Sequence, residues 1–207
     1  MSGVKFGPKT EMEMMGITNS YWGVCGFTST FHAMYELNPG KKPLIIGAYI
    51  ATKVLAEIKT YLVMLKASGN FSLLNEIQAF TRTFPKTTTG CDFSNFDIDK
   101  YIARINDAVN KTEAEIVKDG YYSIGMPPAG VVDYVTRMWE YKATLSKGDT
   151  GGDGIIGVKR DARVMYDGLC HYMYRLNGKI YSWGNTYTSV TDANPAYQVI
   201  WTIDIKP

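Results

Sequence analysis

The sequence predicts an α+β domain, with a helical N-terminal part and an antiparallel β-sheet at the C-terminus. Three observations predict it. Apolar residues first recur at helical spacing, then alternate with polar ones after Ile155, and two dipeptides suited to tight hairpin turns, Asp167-Gly168 and Asn177-Gly178, divide the second half. The 207 residues suit a single domain, helical over about 1–147 and β-rich over about 155–207.

The elements follow in order. Behind Cys25, Phe27, Phe31, Met34 and Tyr35 fall at helical spacing. After Pro43, a natural first-turn residue, Ile46, Ile50, Val54, Ile58, Tyr61, Leu62 and Leu65 mark an amphipathic helix stopped by Ser68-Gly69. A further helix is expected from a Ser72 cap, burying Leu73, Leu74, Ile77 and Phe80 before Pro85. Another follows Asp97, with Ile98, Tyr101, Ile102, Ile105 and Val109 on one side, and a last one follows Pro127-Pro128, using Val131, Tyr134, Val135 and Met138. Lys147–Gly154, rich in glycine, connects the two parts. Ile155–Val158 is a short apolar run, and Val164–Tyr166, Leu169–Leu176, Lys179–Trp183 and Tyr197–Ile205 read as strands.

Composition narrows the function. Lys plus Arg number 22 against 20 Asp plus Glu, and a net charge of +2 argues against a nucleic-acid binder that works by neutralising phosphates. A hydrophobic content of 45 % excludes a disordered chain, and 15 tyrosines suit tyrosine-rich strands. Cys25, Cys91 and Cys170 are an odd set, read as thiols of a reducing compartment. Met1–Gly16 has no apolar signal core, and the greasiest stretch, Leu44–Leu65, carries Lys53, Glu57 and Lys59 near its middle. The expectation is a soluble chain without a membrane span, cytoplasmic in the producing cell.

Chemistry concentrates around Cys25. Turn-forming Asn19, Ser20 and Gly23 precede it and a helix follows, so the thiol sits at a helix N-terminus, where the dipole favours a thiolate. A cysteine nucleophile needs a base. His32 is two turns along the same helix, about 10 Å away on helix geometry, which leaves His171 on the Leu169–Leu176 strand.

At these residues the chain resembles the papain-like cysteine peptidases. Cys25-Gly26 opens a helix after Tyr21-Trp22-Gly23, His171 follows in the β-rich half at papain-type separation, and Ser182-Trp183-Gly184-Asn185 lies beyond it. The strand from His171 to Arg175 resembles the bacterial double-glycine leader peptidases of bacteriocin exporters. The resemblance implies a papain-like fold, with the Cys-bearing helix packed against the sheet. It also implies Cys25 as nucleophile, His171 as base and Asn185 as the residue orienting the imidazole. The oxyanion donors would be the Asn19 side chain, where the family has glutamine, and the Cys25 backbone N–H. Strand alternation gives a different partner: with Leu176 paired to Lys179, Ser182 shares the His171 face and Asn185 reaches it only through a bend at Gly184. Trp22, Gly23, Gly26 and Trp183 are expected to wall the substrate cleft.

The implied reaction is peptide hydrolysis through a thioester, after small residues such as a glycine pair, with no cofactor and no metal. The implied setting is an antibacterial toxin or effector, delivered by a specialised secretion system into a target cell's cytoplasm and restrained by an immunity protein. A peptidoglycan amidase, deamidase or acyltransferase could use the same dyad, although such amidases have an acidic residue and a serine where this chain has Val24 and Gly26. A non-enzymatic binding domain, with Cys25 and His171 as packing residues, is the remaining reading. Gly152, Gly154 and Gly157 match a dinucleotide-binding pattern, but a strand follows where a helix is needed. Asp149 and Asp153 begin no calcium-ligand series. Cys170 and His171, as strand neighbours, are expected on opposite faces.

Overall fold

The computed structural model describes residues 22–37, 49–85, 92–119, 122–160, 165–182 and 184–207. Asn19, Cys91, Trp183, Val164 and the expected helix start at Pro43–Ile46 lie outside the described residues.

The chain is α+β. Helix α1 (Cys25–Leu37) is buried along most of its length between Gly26 and Tyr35, polar Ser29, Thr30 and His32 included; the Thr30 hydroxyl is satisfied by donating to Phe27 O at 2.6 Å. Helix α2 (Ile50–Ala67) buries Val54, Ile58, Tyr61, Leu62 and Leu65 and ends at Ser68 and left-handed Gly69. Its first N–H groups, those of Ala51 and Thr52, donate to the Glu113 carboxylate of α5 (Glu113–Asp119), which supplies negative charge at the helix N-terminus. The sequence reading missed this short helix. Helix α3 (Phe71–Arg82) is capped by Asn70, whose Oδ1 accepts from Leu73 N–H at 3.4 Å, two residues earlier than the expected Ser72 cap. Helix α4 (Ile98–Ala108) starts at the expected Asp97 cap, which accepts from Lys100 N–H at 2.9 Å. Val109 lies beyond its end and is exposed. Helix α6 (Pro128–Trp139) begins with proline at its first turn.

The sheet has the order β1-β6-β2-β3-β4-β5, antiparallel throughout. Its strands are β1 (Lys142–Lys147), β2 (Gly154–Lys159), β3 (Leu169–Leu176), β4 (Lys179–Ser182), β5 (Asn185–Tyr187) and β6 (Gln198–Lys206). A one-turn helix, α7 (Val190–Ala193), separates β5 from β6. The expected helical part to about 147 ends earlier, because β1 already belongs to the sheet. It was illegible because it is an edge strand with mostly exposed, polar side chains. Where a strand ending at Tyr166 and a hairpin at Asp167-Gly168 were expected, the described residues form a 3-10 turn, Tyr166–Gly168, with all three residues at positive φ. Asn177 and Gly178, at φ 50° and 72°, do form the two-residue turn that pairs Leu176 with Lys179.

The main core lies between the helices and one face of the sheet. Phe27 meets Tyr61 and Tyr134 edge to face, at 6.2 and 5.0 Å between ring centroids. Three buried phenols find acceptors: Tyr61 donates to Gly130 O and Asp133, Tyr134 to Glu57, and Tyr101 to Tyr122 O. The other face carries a smaller cluster of Ile156, Val158, Met173, Ile180 and Tyr197. Among the described residues no helix is long and apolar enough to cross a membrane.

Two irregularities distort the sheet around Val158. Val158 pairs with His171 and Lys159 with Leu169, so Cys170 is an extra residue on β3. Gly157 pairs with Trp201 and Val158 with Val199, so Ile200 is extra on β6. Bulges of this kind bend a strand and re-aim its side chains.

Candidate active site

Cys25 is the first residue of α1. Phe27 N–H and Thr28 N–H both donate to Val24 O, at 2.9 and 3.0 Å, closing the first turn around it. Gly23 takes a positive φ of 55°, and its carbonyl accepts from Ile124 N–H at 3.3 Å, which lays the segment after Tyr122 beside the helix start. A Cβ at Gly23 would meet Ser123 Oγ at 2.7 Å, so only glycine lets the two backbones approach this closely.

A cavity of about 160 Å³ opens beside the thiol. Cys25 and the four consecutive β3 residues Leu169–Tyr172 border it, including His171. This corrects the expectation that Cys170 and His171 part to opposite faces, since the bulge at Cys170 breaks the alternation. Cys170 Sγ lies 3.4 Å from Val158 O, as a weak donor.

His171 is 3 % exposed. Its Nε2 is hydrogen-bonded to Ser182 Oγ at 2.7 Å, and its ring stacks on Tyr197 at 6.2 Å between centroids. Ser182 reaches it because the β3–β4 register, continued past Tyr174–Tyr181, sets Ser182 opposite Met173 and diagonal to His171 on one face. The hydrogen bond thus comes from the residue that alternation favours. Asn185, which the resemblance assigns to this role, begins β5 across from Ser182 and is exposed. Gly184, at φ 78°, turns the chain there to form the β4–β5 hairpin.

Burial disfavours the charged form of both groups. Burial pushes the Cys25 thiol up to about 12, and the nearby Tyr172 backbone N–H offsets it only in part. Burial alone lowers His171 to about 3. The helix dipole is worth about 1 kcal/mol at most in an ordinary setting, too little to match this desolvation. Burial thus works against the thiolate that the helix position favours. Among the described residues no hydrogen bond joins Cys25 to His171; they face a common cavity.

The expected cleft residues divide. Gly23 borders the cavity. Trp22 is fully buried against Tyr122, at 4.9 Å between ring centroids, and belongs to the core. Gly26 is buried too: a Cβ there would meet Met126 Cβ at 2.7 Å, so its small size serves packing of α1 rather than substrate approach. Asp149, set aside as a calcium ligand, pairs with Arg175 at 2.8 Å. Tyr197, under the histidine, gave no signal in the sequence.

Comparison of the chain with protein-family models, with curated proteins and with solved structures finds no match in any of the three.

Proposed function

We propose that this chain is a cysteine peptidase, a papain-like thiol hydrolase with Cys25 as nucleophile and His171 as general base. The observation that carries the reading is the cavity bordered by both, with the thiol at a helix start and the imidazole tethered by Ser182. Nε2–H donating to Ser182 Oγ holds the tautomer whose Nδ1 lone pair accepts the thiol proton. As sulfur attacks the substrate carbonyl, the S–H proton passes to Nδ1 and the imidazolium returns it to the leaving amine. The C–N bond breaks, a thioester remains, and water deprotonated by His171 hydrolyses it, restoring the thiol. The Cys25 N–H, one of the orphan donors of a helix first turn, faces the oxyanion in this scheme, with Asn19 as second donor. Because burial favours the neutral pair, proton transfer accompanies attack, as in a serine–histidine pair. Catalytic hydrogen bonds commonly tighten only when substrate binds.

The test is incubation with a proteome-derived peptide library and mass-spectrometric reading of new termini. Wild type is expected to cut, and Cys25→Ala and His171→Ala to lose cutting while retaining their circular dichroism. No new termini with wild type would overturn the reading. Toxicity on expression that disappears in Cys25→Ala is the corresponding expectation for an effector held in check by an immunity protein. One observation favours a second reading, a binding domain in which both residues only pack: His171 is buried and bonded to Ser182, and among the described residues no hydrogen bond joins it to Cys25. In that case Cys25→Ala changes neither peptide cutting nor growth.

A further inference from the structure

We propose that Cys25 and Cys170 are a redox pair, joined by a reversible disulfide under oxidising conditions that withdraws the Cys25 thiol from reaction. As regulation of the peptidase the inference rests on that reading; the bond itself does not depend on it.

The two thiols border one cavity, which Cys25 shares with Leu169–Tyr172. Both are free and half-buried, so neither is sealed inside a core. Cys25 packs against the main core and Cys170 against the smaller one, which puts the pair at the junction of the two. Helix α1 lies against β3, and the Cys25 sulfur receives the Tyr172 backbone N–H, two residues along the strand from Cys170. Mutual influence agrees with this placement. Burial raises the Cys25 thiol and charge on Cys170 raises it further; burial raises the Tyr197 phenol, and charge on either sulfur adds to that.

The bulge supplies the freedom to bond. Cys170 is the extra residue between the Val158–His171 and Lys159–Leu169 pairs, so it has no ladder partner of its own on β2. Such a residue shifts without dismantling the pairing on either side. Its thiol donates to Val158 O at 3.4 Å, a contact weak enough to give way to a covalent bond. Bridged cysteines need Cα atoms roughly 4.4–6.8 Å apart, and the unpaired bulge is the part of β3 that adjusts to meet this span.

Hydrogen peroxide is the oxidant. One thiol gives it two electrons and becomes a sulfenic acid, S–OH, as the O–O bond breaks and water leaves. The other sulfur then attacks the first, its proton departs with the hydroxyl as a second water, and the S–S bond forms. Once bonded, Cys25 has no S–H proton for His171 and no free sulfur for a carbonyl. A dithiol reductant reverses the step by thiol–disulfide exchange. Cys170 also shields its partner, because a sulfenic acid resolved as a disulfide does not go on to the irreversible sulfinic acid.

Peptide mapping of the wild-type chain tests this, since trypsin leaves the three cysteines on separate peptides, 10–41, 87–100 and 164–175. Reduced protein is treated with hydrogen peroxide, remaining thiols are blocked with N-ethylmaleimide, and the digest is read by mass spectrometry. The expected product joins 10–41 to 164–175 and disappears with dithiothreitol. Iodoacetamide labelling of Cys25 is lost in the linked form and returns on reduction. In Cys170→Ala the same treatment is expected to carry Cys25 on to sulfinic acid, beyond recovery by dithiothreitol, whereas Cys91→Ser keeps the bond. No link in wild type, or a link from Cys25 to Cys91, would overturn the proposal. Peptide cutting separates it from the peptidase reading. Cutting by reduced protein that stops on linkage and resumes with dithiothreitol supports both. Linkage in a protein that cuts no peptide when reduced leaves the bond standing and removes the peptidase reading. Undiminished cutting by the linked form overturns the switch.

Discussion

A thiol at a helix N-terminus is pulled two ways, toward ionisation by the dipole and away from it by loss of water. At Cys25 the second effect prevails, and the sign of the pH response follows. A thiol raised to about 12 stays protonated through neutral pH. Its alkylation by iodoacetamide is expected to be slow at neutral pH and to keep rising about tenfold per pH unit without levelling off near 9, the ordinary thiol value. A rate already high at pH 5 and lost in His171→Ala would instead reveal a preformed thiolate–imidazolium pair. Ser182 is the second residue to test. It contributes one hydrogen bond to a buried ring, so Ser182→Ala is expected to lower kcat about tenfold with KM little changed. A larger loss in Asn185→Ala than in Ser182→Ala would return the orienting role to the asparagine. This part of the site was legible in the sequence, because the Asn177-Gly178 turn fixes the register and the register fixes which side chains share the His171 face. The desolvation that disfavours the charged pair was not legible, since it comes from elements distant in the chain.

At the scale of elements, local chemistry and tertiary context divide the outcome. Helices α3, α4 and α6 and the β3–β4 hairpin carry their signals within a few residues, as apolar spacing, the Asp97 cap, Pro128 and the Asn177-Gly178 turn. Strand β1 carries none, and the short helix α5 carries only a capping box, in which Thr112 N–H donates to the Glu115 carboxylate and Glu115 N–H to Thr112 Oγ1. Lys142–Lys147 pairs with β6 across the sheet edge, and α5 is tied to α2 through Glu113, so both depend on partners far away in sequence. The bulge at Cys170 belongs to the same class, since it exists only through the pairing of β2 with β3. Two substitutions separate these causes. Asp97→Ala removes one cap hydrogen bond and is expected to cost about 1 kcal/mol. At Gly154, φ is 142° and a Cβ would sit 2.3 Å from Ile203 O, so Gly154→Ala forces β2 and β6 apart. Its cost should exceed that of Asp97→Ala by several-fold in urea unfolding. Equal costs would mean that the sheet yields at Gly154 more easily than its geometry implies.

Across the whole molecule the sheet separates two unequal cores, and His171 lies between them, with Tyr197 and Ser182 from the smaller side and the cavity at its rim. That position ties global stability to pH. Burial holds the folded-state pKa at about 3, against an ordinary value of 6.5, so between these limits the unfolded chain binds a proton that the folded chain refuses. Unfolding free energy therefore falls as pH drops from 6.5 toward 3 and is insensitive to this residue above 6.5. Carboxylates act lower down. At Asp119, burial opposes ionisation, but the hydrogen bond from Lys111 and the attraction of Arg104 prevail and keep its pKa below the ordinary 3.8. Asp149 is lowered in the same way, burial being outweighed by the Gly151 N–H and Arg175. Stability from these two is present above the ordinary carboxylate range and is lost as pH falls through their depressed values. The acid limb should accordingly show two stages, and His171→Gln, which has no proton to bind, should remove only the upper one. Urea unfolding at pH 7, 5 and 4 measures it: the wild type is expected to weaken steadily across the series while the variant stays nearly level. Parallel decline of both proteins would place the acid sensitivity elsewhere in the molecule and would mean that the imidazole is charged in the folded state.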